Sequence, residues 1–122
     1  MAKIEDYTIH GKTTRITEYD ILTDIMAIIE EKDYFHDGSI ECIAHNKECT
    51  IIGFRHYNDA EYKVQRLIFT GNVDLLLSLD LLVRYIYEIK FNISNQIEVE
   101  FEGTGIIVKA DNVKFEIQEL LS

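Results

Sequence analysis

The clearest pattern in the chain is the alternation that runs through its C-terminal third. In "RYIYEIKFNIS", Tyr85, Tyr87, Ile89, Phe91 and Ile93 alternate with mostly polar positions. In "IEVEFE", Ile97, Val99 and Phe101 alternate with Glu98, Glu100 and Glu102, and "VKFEIQ" repeats the pattern through Val113, Phe115 and Ile117. A period of two puts each apolar set on one face of a strand. "GTG" and "DN" supply the turns between them. Clean alternation joined by short turns indicates an antiparallel sheet with one wet face.

Upstream, "SIECIAH" and "CTIIGFRHY" flank "NKE" and read as a β-hairpin. A three-residue loop there aligns Ile40, Cys42 and Ala44 with Ile52 and Phe54. "KVQRLIFTG" is a third strand, closed by Gly71-Asn72. Residues 73–83 are ambiguous, with Asp74 placed to cap a short apolar helix. Between Thr17 and Asp33 the period changes to that of a helix: Leu22, Ile25, Met26 and Ile29 recur at i, i+3, i+4 and i+7, and Ile21 and Ile28 widen the stripe. Thr17 serves as its cap. Residues 1–16 read as an arm or edge strand, 17–33 as the helix and 39–118 as the sheet. The fold class is α+β: one domain, residues 1–122, in which a meandering antiparallel sheet of about six or seven strands packs against one main N-terminal amphipathic helix.

Composition narrows the function classes. The net charge is −10 and the excess is spread: residues 1–60 carry 12 acidic and 6 basic side chains, residues 61–122 carry 10 and 6. No cluster of Lys and Arg exists to neutralise phosphates, so nucleic-acid binding is disfavoured. A basic partner, by contrast, is steered toward such a surface. The apolar run "VDLLLSLDLLVRYIY" is cut by Asp74, Asp80 and Arg84 and is too short to span a bilayer. The N-terminal "MAKIEDYTIHGK" carries acidic residues where a signal peptide needs an apolar stretch, so the expectation is a cytoplasmic protein with no membrane partner. Cys42 and Cys49 make no disulfide framework and read as free, buried small hydrophobes.

Three groups of residues invite chemistry. His36-Asp37, followed by Gly38, stands where helix gives way to strand. As a metal-hydrolase pair it needs further His and Asp ligands, whereas a turn needs only what is present. There Asp37 bonds a backbone N–H, Gly38 takes positive φ and His36 pins a carbonyl. Cys42, His45, Cys49 and His56 do not follow a zinc spacing, and strand parity points Cys42 and His45 to opposite faces. The row Glu98, Glu100, Glu102 lies on one strand face, either balanced by Lys90, Lys109 and Lys114 or serving as an acidic docking surface. Tyr85 and Tyr87 read as core-edge residues. No nucleophile motif, phosphate loop or dinucleotide fingerprint is present. No residue is assigned as catalytic or as a metal ligand, and no cofactor is expected.

The order "YFHDGSIECIAH", "RLIFTGNVDLL" and "GIIVKADNVKFEI", over residues 34–118, resembles small bacterial proteins whose sheet opens with a Phe-His-Asp-small turn. Several such groups are immunity proteins of contact-dependent or polymorphic toxin systems. The resemblance implies a stand-alone, non-enzymatic domain that binds and neutralises a cognate toxin. Combined with the acidic surface, it gives the expectation of a cytoplasmic protein-binding domain with Glu98, Glu100 and Glu102 at the partner surface and His36, Asp37 and Gly38 structural. The alternatives are a small metal-dependent hydrolase centred on His36 and Asp37, or an oligomeric module whose sheet edge pairs with a second copy.

Overall fold

The computed structural model describes residues 2–59, 63–78 and 83–121. Among them are β1 (Lys3–Ile9), β2 (Lys12–Tyr19), α1 (Leu22–Glu31), a short 3-10 turn (Asp33–Phe35), β3 (Ser39–His45), β4 (Cys49–Arg55) and β5 (Lys63–Thr70). β6 (Asp74–Leu77), β7 (Glu88–Ile93), β8 (Ile97–Glu102), β9 (Ile106–Ala110) and β10 (Asn112–Leu120) follow. The strands form two antiparallel sheets, one ordered β1-β2-β10-β5-β4-β3 and the other β6-β9-β8-β7. The α+β class therefore holds, with more strands than expected and a second sheet.

The second sheet changes what covers the core. A lone sheet would rely on the helix to bury its apolar face; here Val99 and Phe101 of β8 and Val108 of β9 join Ile52, Phe54, Leu67, Phe69 and Phe115 of the larger sheet in one buried cluster. Phe54 sits at the junction, its ring centroid 5.7 Å from that of Phe101 and 6.2 Å from that of Phe115. α1 contributes Ile25 and Ile29, both buried. The alternation of β8 and β10 is realised as expected, with Val99, Phe101, Val113 and Phe115 inside.

The helix is shorter than its periodicity implies, and two strands precede it. Thr17 lies in β2, and Ile21 is the residue that precedes the first turn, without a side-chain cap and with its own side chain exposed. The reason is local. Thr13, Thr14, Ile16 and Thr17 are β-branched and favour a pleated strand. His10 and Gly11, with φ of 53° and 77°, make the two-residue turn that pairs Ile9 with Lys12. Positive φ at both central residues is the hairpin turn whose twist matches the strands it joins. The arm is thus a β1–β2 hairpin, with β1 as the exposed edge of the larger sheet.

Three further expectations are corrected. The β3–β4 hairpin forms with the expected strands, but a bulge between Ile40 and Cys42 shifts the register, so Ile40 opposes Phe54 and Ile43 opposes Ile52. One extra residue flips every side chain beyond it. Cys42 and Ala44 therefore lie on the other face, and Cys42 is exposed rather than buried. Asp74 begins a strand, β6, paired to β9, and not a helix; residues 79–82 of that segment lie outside the described residues. Ile86, not Tyr85 or Tyr87, is the core residue: it is 2% exposed against 64% and 56%. Residues 84–87 precede β7 and bond to residues 37–40, so the parity of β7 does not extend back to them.

Candidate functional site

The helix and both sheets converge on residues 33–40. Asp33, Tyr34 and Phe35 have φ of 52°, 54° and 57°, a left-handed turn of three non-glycine residues, and Asp37 follows at 63°. Left-handed backbone costs L-residues roughly 1–2 kcal/mol each, so tertiary contacts must hold it. They do: Phe35 is buried edge-on against Phe54 at 4.7 Å. The Asp37 N–H donates to the Ile86 carbonyl, the Ile86 N–H to Gly38 and the Ile40 N–H to Arg84. Across the same seam Arg84 meets Glu41 at 3.0 Å. The positive φ thus falls on Asp37 rather than Gly38. Gly38 is needed for space, because a Cβ there would stand 2.5 Å from the Arg55 carbonyl oxygen.

His36 Nδ1 lies 2.7 Å from the Tyr87 carbonyl oxygen. A carbonyl can only accept, so Nδ1 carries the proton, and Nε2 faces Asp37 Oδ2 at 3.6 Å. Asp37 itself is otherwise solvated, its side chain 74% exposed. The Tyr87 hydrogen bond is the largest of the influences that hold the His36 imidazole above its ordinary pKa; burial opposes it, and the charges of Asp37, Asp33 and Glu88 each add a smaller upward push. The group's contribution to stability is then complete below the unfolded pKa near 6.5 and fades as pH rises through the higher folded value. An NMR titration should place the His36 midpoint above those of model imidazoles, and His36→Gln should flatten stability across that window. A midpoint at or below 6.5 would show that the Tyr87 hydrogen bond and the neighbouring carboxylates do not favour the charged imidazole.

The Glu98, Glu100, Glu102 row stands on the outer face of the smaller sheet, where the register sets Glu102 opposite Glu88, Glu100 opposite Lys90 and Glu98 opposite both Asn92 and Lys109. Lys90 Nζ is 2.7 Å from Glu102 and Lys109 Nζ is 3.6 Å from Glu98. Lys114 does not join this face; it pairs with Glu18 on the larger sheet. With Asp74 opposite Lys109, the face carries Asp74, Glu88, Glu98, Glu100 and Glu102 against two lysines. It keeps a negative excess after its own pairs are made.

Cys42 and Cys49 share the outer face of β3 and β4, while His45 bonds Thr50 on the inner face at 2.6 Å and His56 packs on Phe35. The four do not converge. Among the described residues no three His, Cys, Asp or Glu side chains stand together as a metal site, and His36-Asp37 has no third ligand.

One feature leaves almost no mark in the sequence. A cleft of about 370 Å³ runs between α1 and β7, lined by Met26, Ile29, Glu30 and Tyr34 on one side and Glu88, Ile89, Lys90 and Phe91 on the other. Residues of both parities on β7 line it, so it follows the free edge of that strand. The only sequence trace is Glu30-Glu31 in the last helical turn, where the dipole disfavours carboxylates.

Set against protein-family models, curated proteins and solved structures, the chain matches none of them.

Proposed function

We propose that this chain is a non-catalytic protein-binding domain that occludes a basic partner, in the manner of an immunity protein neutralising a toxin. The observation that carries the reading is the outer face of the smaller sheet, where five carboxylates outnumber two lysines that are already engaged. Such a face gains little stability from its surface ion pairs. It does create a field that accelerates and orients encounter with a positive surface. Binding by occlusion needs a rigid, preformed platform, and four paired strands over a buried core supply one.

The test is co-expression with the product of the adjacent reading frame. The chain should relieve that product's toxicity and co-purify with it in fixed stoichiometry. Reversing Glu98, Glu100 and Glu102 to Lys should weaken the complex at least about tenfold at low ionic strength and flatten its salt dependence. A neighbouring product that is neither bound nor neutralised would overturn the reading, and an unchanged affinity would remove this face from the interface.

A further inference from the structure

We infer that the cleft between α1 and β7 is an anchor site for one long cationic side chain, arginine above all, presented by the basic partner. This inference deepens the proposed function and rests on it for the partner's identity. Its physical basis is separate. At about 370 Å³ the cleft lies within the range of sites that bury a compact ligand group. Its floor is apolar, with Ile29 and Ile89 buried and Met26 and Phe91 half-buried. Its rim carries the carboxylates of Glu30 and Glu88, which make no hydrogen bond or close ion pair among the described residues, although the Glu88 charge is felt by His36 and Lys90. Lys90, the one cation among the described lining residues, is already held by Glu102 at 2.7 Å.

An apolar floor under an acidic rim matches one side-chain chemistry. Arginine lays a methylene stem along apolar surface and keeps its head at the polar margin. The guanidinium is planar, with donors in a fork suited to carboxylates, and it stacks on aromatic faces. Tyr34 in the wall and Phe91 in the floor are the aromatic residues of the lining. A neutral apolar side chain would fill the floor but leave Glu30 and Glu88 desolvated and unpaired. An acidic one would be repelled. The left-handed turn at residues 33–35 fits this use, since it carries Tyr34 into the wall while Phe35 locks into the core. The cleft adjoins the acidic outer face through Glu88 and Lys90, so one basic surface can engage both.

The test uses the full chain and the pentapeptide acetyl-Gly-Leu-Arg-Leu-Gly-amide, beside a peptide in which citrulline replaces arginine. Citrulline keeps the shape and removes the charge. In a two-dimensional amide NMR titration the arginine peptide should shift signals of residues 26–34 and 88–91. Affinity should fall about tenfold or more for citrulline, and likewise for the Glu30→Gln, Glu88→Gln double variant, as expected for loss of charge-assisted bonds. Both substitutions are at solvent-accessible positions, and the dispersion of the variant's own spectrum verifies its fold. Equal binding of the two peptides, shifts confined to residues 98–102, or no shifts at all would each overturn the anchor site. A cleft that binds the peptide beside a neighbouring product that does not bind sinks the proposed partner alone. A product bound equally by the double variant sinks the anchor alone.

Discussion

Replacing Phe54 by alanine is expected to cost about 3–5 kcal/mol of folding stability, the range for removing a fully buried aromatic ring. The ring is fully buried and is the piece that joins three parts of the molecule. It meets Phe35 of the left-handed turn at 4.7 Å, Phe101 of the smaller sheet at 5.7 Å and Phe115 of the larger sheet at 6.2 Å. Close-packed interiors relax only partly around a lost side chain, so the cavity term adds to the lost transfer term. Urea unfolding of Phe54→Ala measures it. Tyr85→Ala, at a ring 64% exposed, should change stability by no more than about 0.5 kcal/mol and serves as the control. A loss below about 1 kcal/mol at Phe54 would mean that the two sheets do not share a core, against the buried cluster described above.

What could be read from the chain alone follows from how local each signal is. β8 and β10 were legible because Val99, Phe101, Val113 and Phe115 alternate with polar residues whose side chains reach solvent. The 39–55 hairpin was legible as strands and loop but not in register, because the bulge after Ile40 is a tertiary accommodation with no marker in "SIECIAH". The β1–β2 hairpin had a signal that helical periodicity outweighed. His10-Gly11 offers a positive-φ turn, and four β-branched residues lie between Thr13 and Thr17. The apolar stripe from Leu22 to Ile29 is real, but nothing in a period of 3.6 fixes where a helix starts when no capping side chain engages.

Division of the strands into two sheets was beyond local reading. Period two says which face is apolar, not which sheet a strand joins. The site shows the same limit. Glu98, Glu100 and Glu102 could be placed on one face from spacing alone. The cleft could not, because Glu30 and Glu88 are 58 positions apart and meet only through the packing of α1 beside β7. Tyr34 was hidden for another reason: only a left-handed turn aims it there, and aromatic residues rarely adopt one.

Gly38→Ala is expected to cost about 3 kcal/mol, at the upper end of ordinary overpacking. Its φ is not in the left-handed region, so the obstacle is space. A Cβ at this position would lie 2.5 Å from the Arg55 carbonyl oxygen and 2.8 Å from that of Phe35. Both atoms are backbone, and neither can rotate away. The Phe35 carbonyl also accepts the Gly38 N–H at 2.8 Å, and the Gly38 carbonyl accepts from Ile86 at 2.8 Å. Relief therefore requires the turn to move away from β4, which strains the bonds that hold residues 37–40 to residues 84–87. Gly53→Ala is the informative comparison. Its Cβ would meet Cys42 Sγ at 2.5 Å, but that is the tip of an exposed side chain free to swing out. Alanine also recovers the roughly 0.5–1 kcal/mol that glycine costs within a strand. The two substitutions add the same methyl group, so denaturant midpoints compared side by side separate crowding by backbone from crowding by a mobile side chain. Equal, small losses at both positions would show that the 33–40 junction yields easily. Tyr34 would then not be held in the wall of the cleft, and the arginine peptide should bind Gly38→Ala as it binds the parent chain. A large loss at Gly38 alone ties the strained turn, the seam between the sheets and the shape of the cleft to one backbone contact.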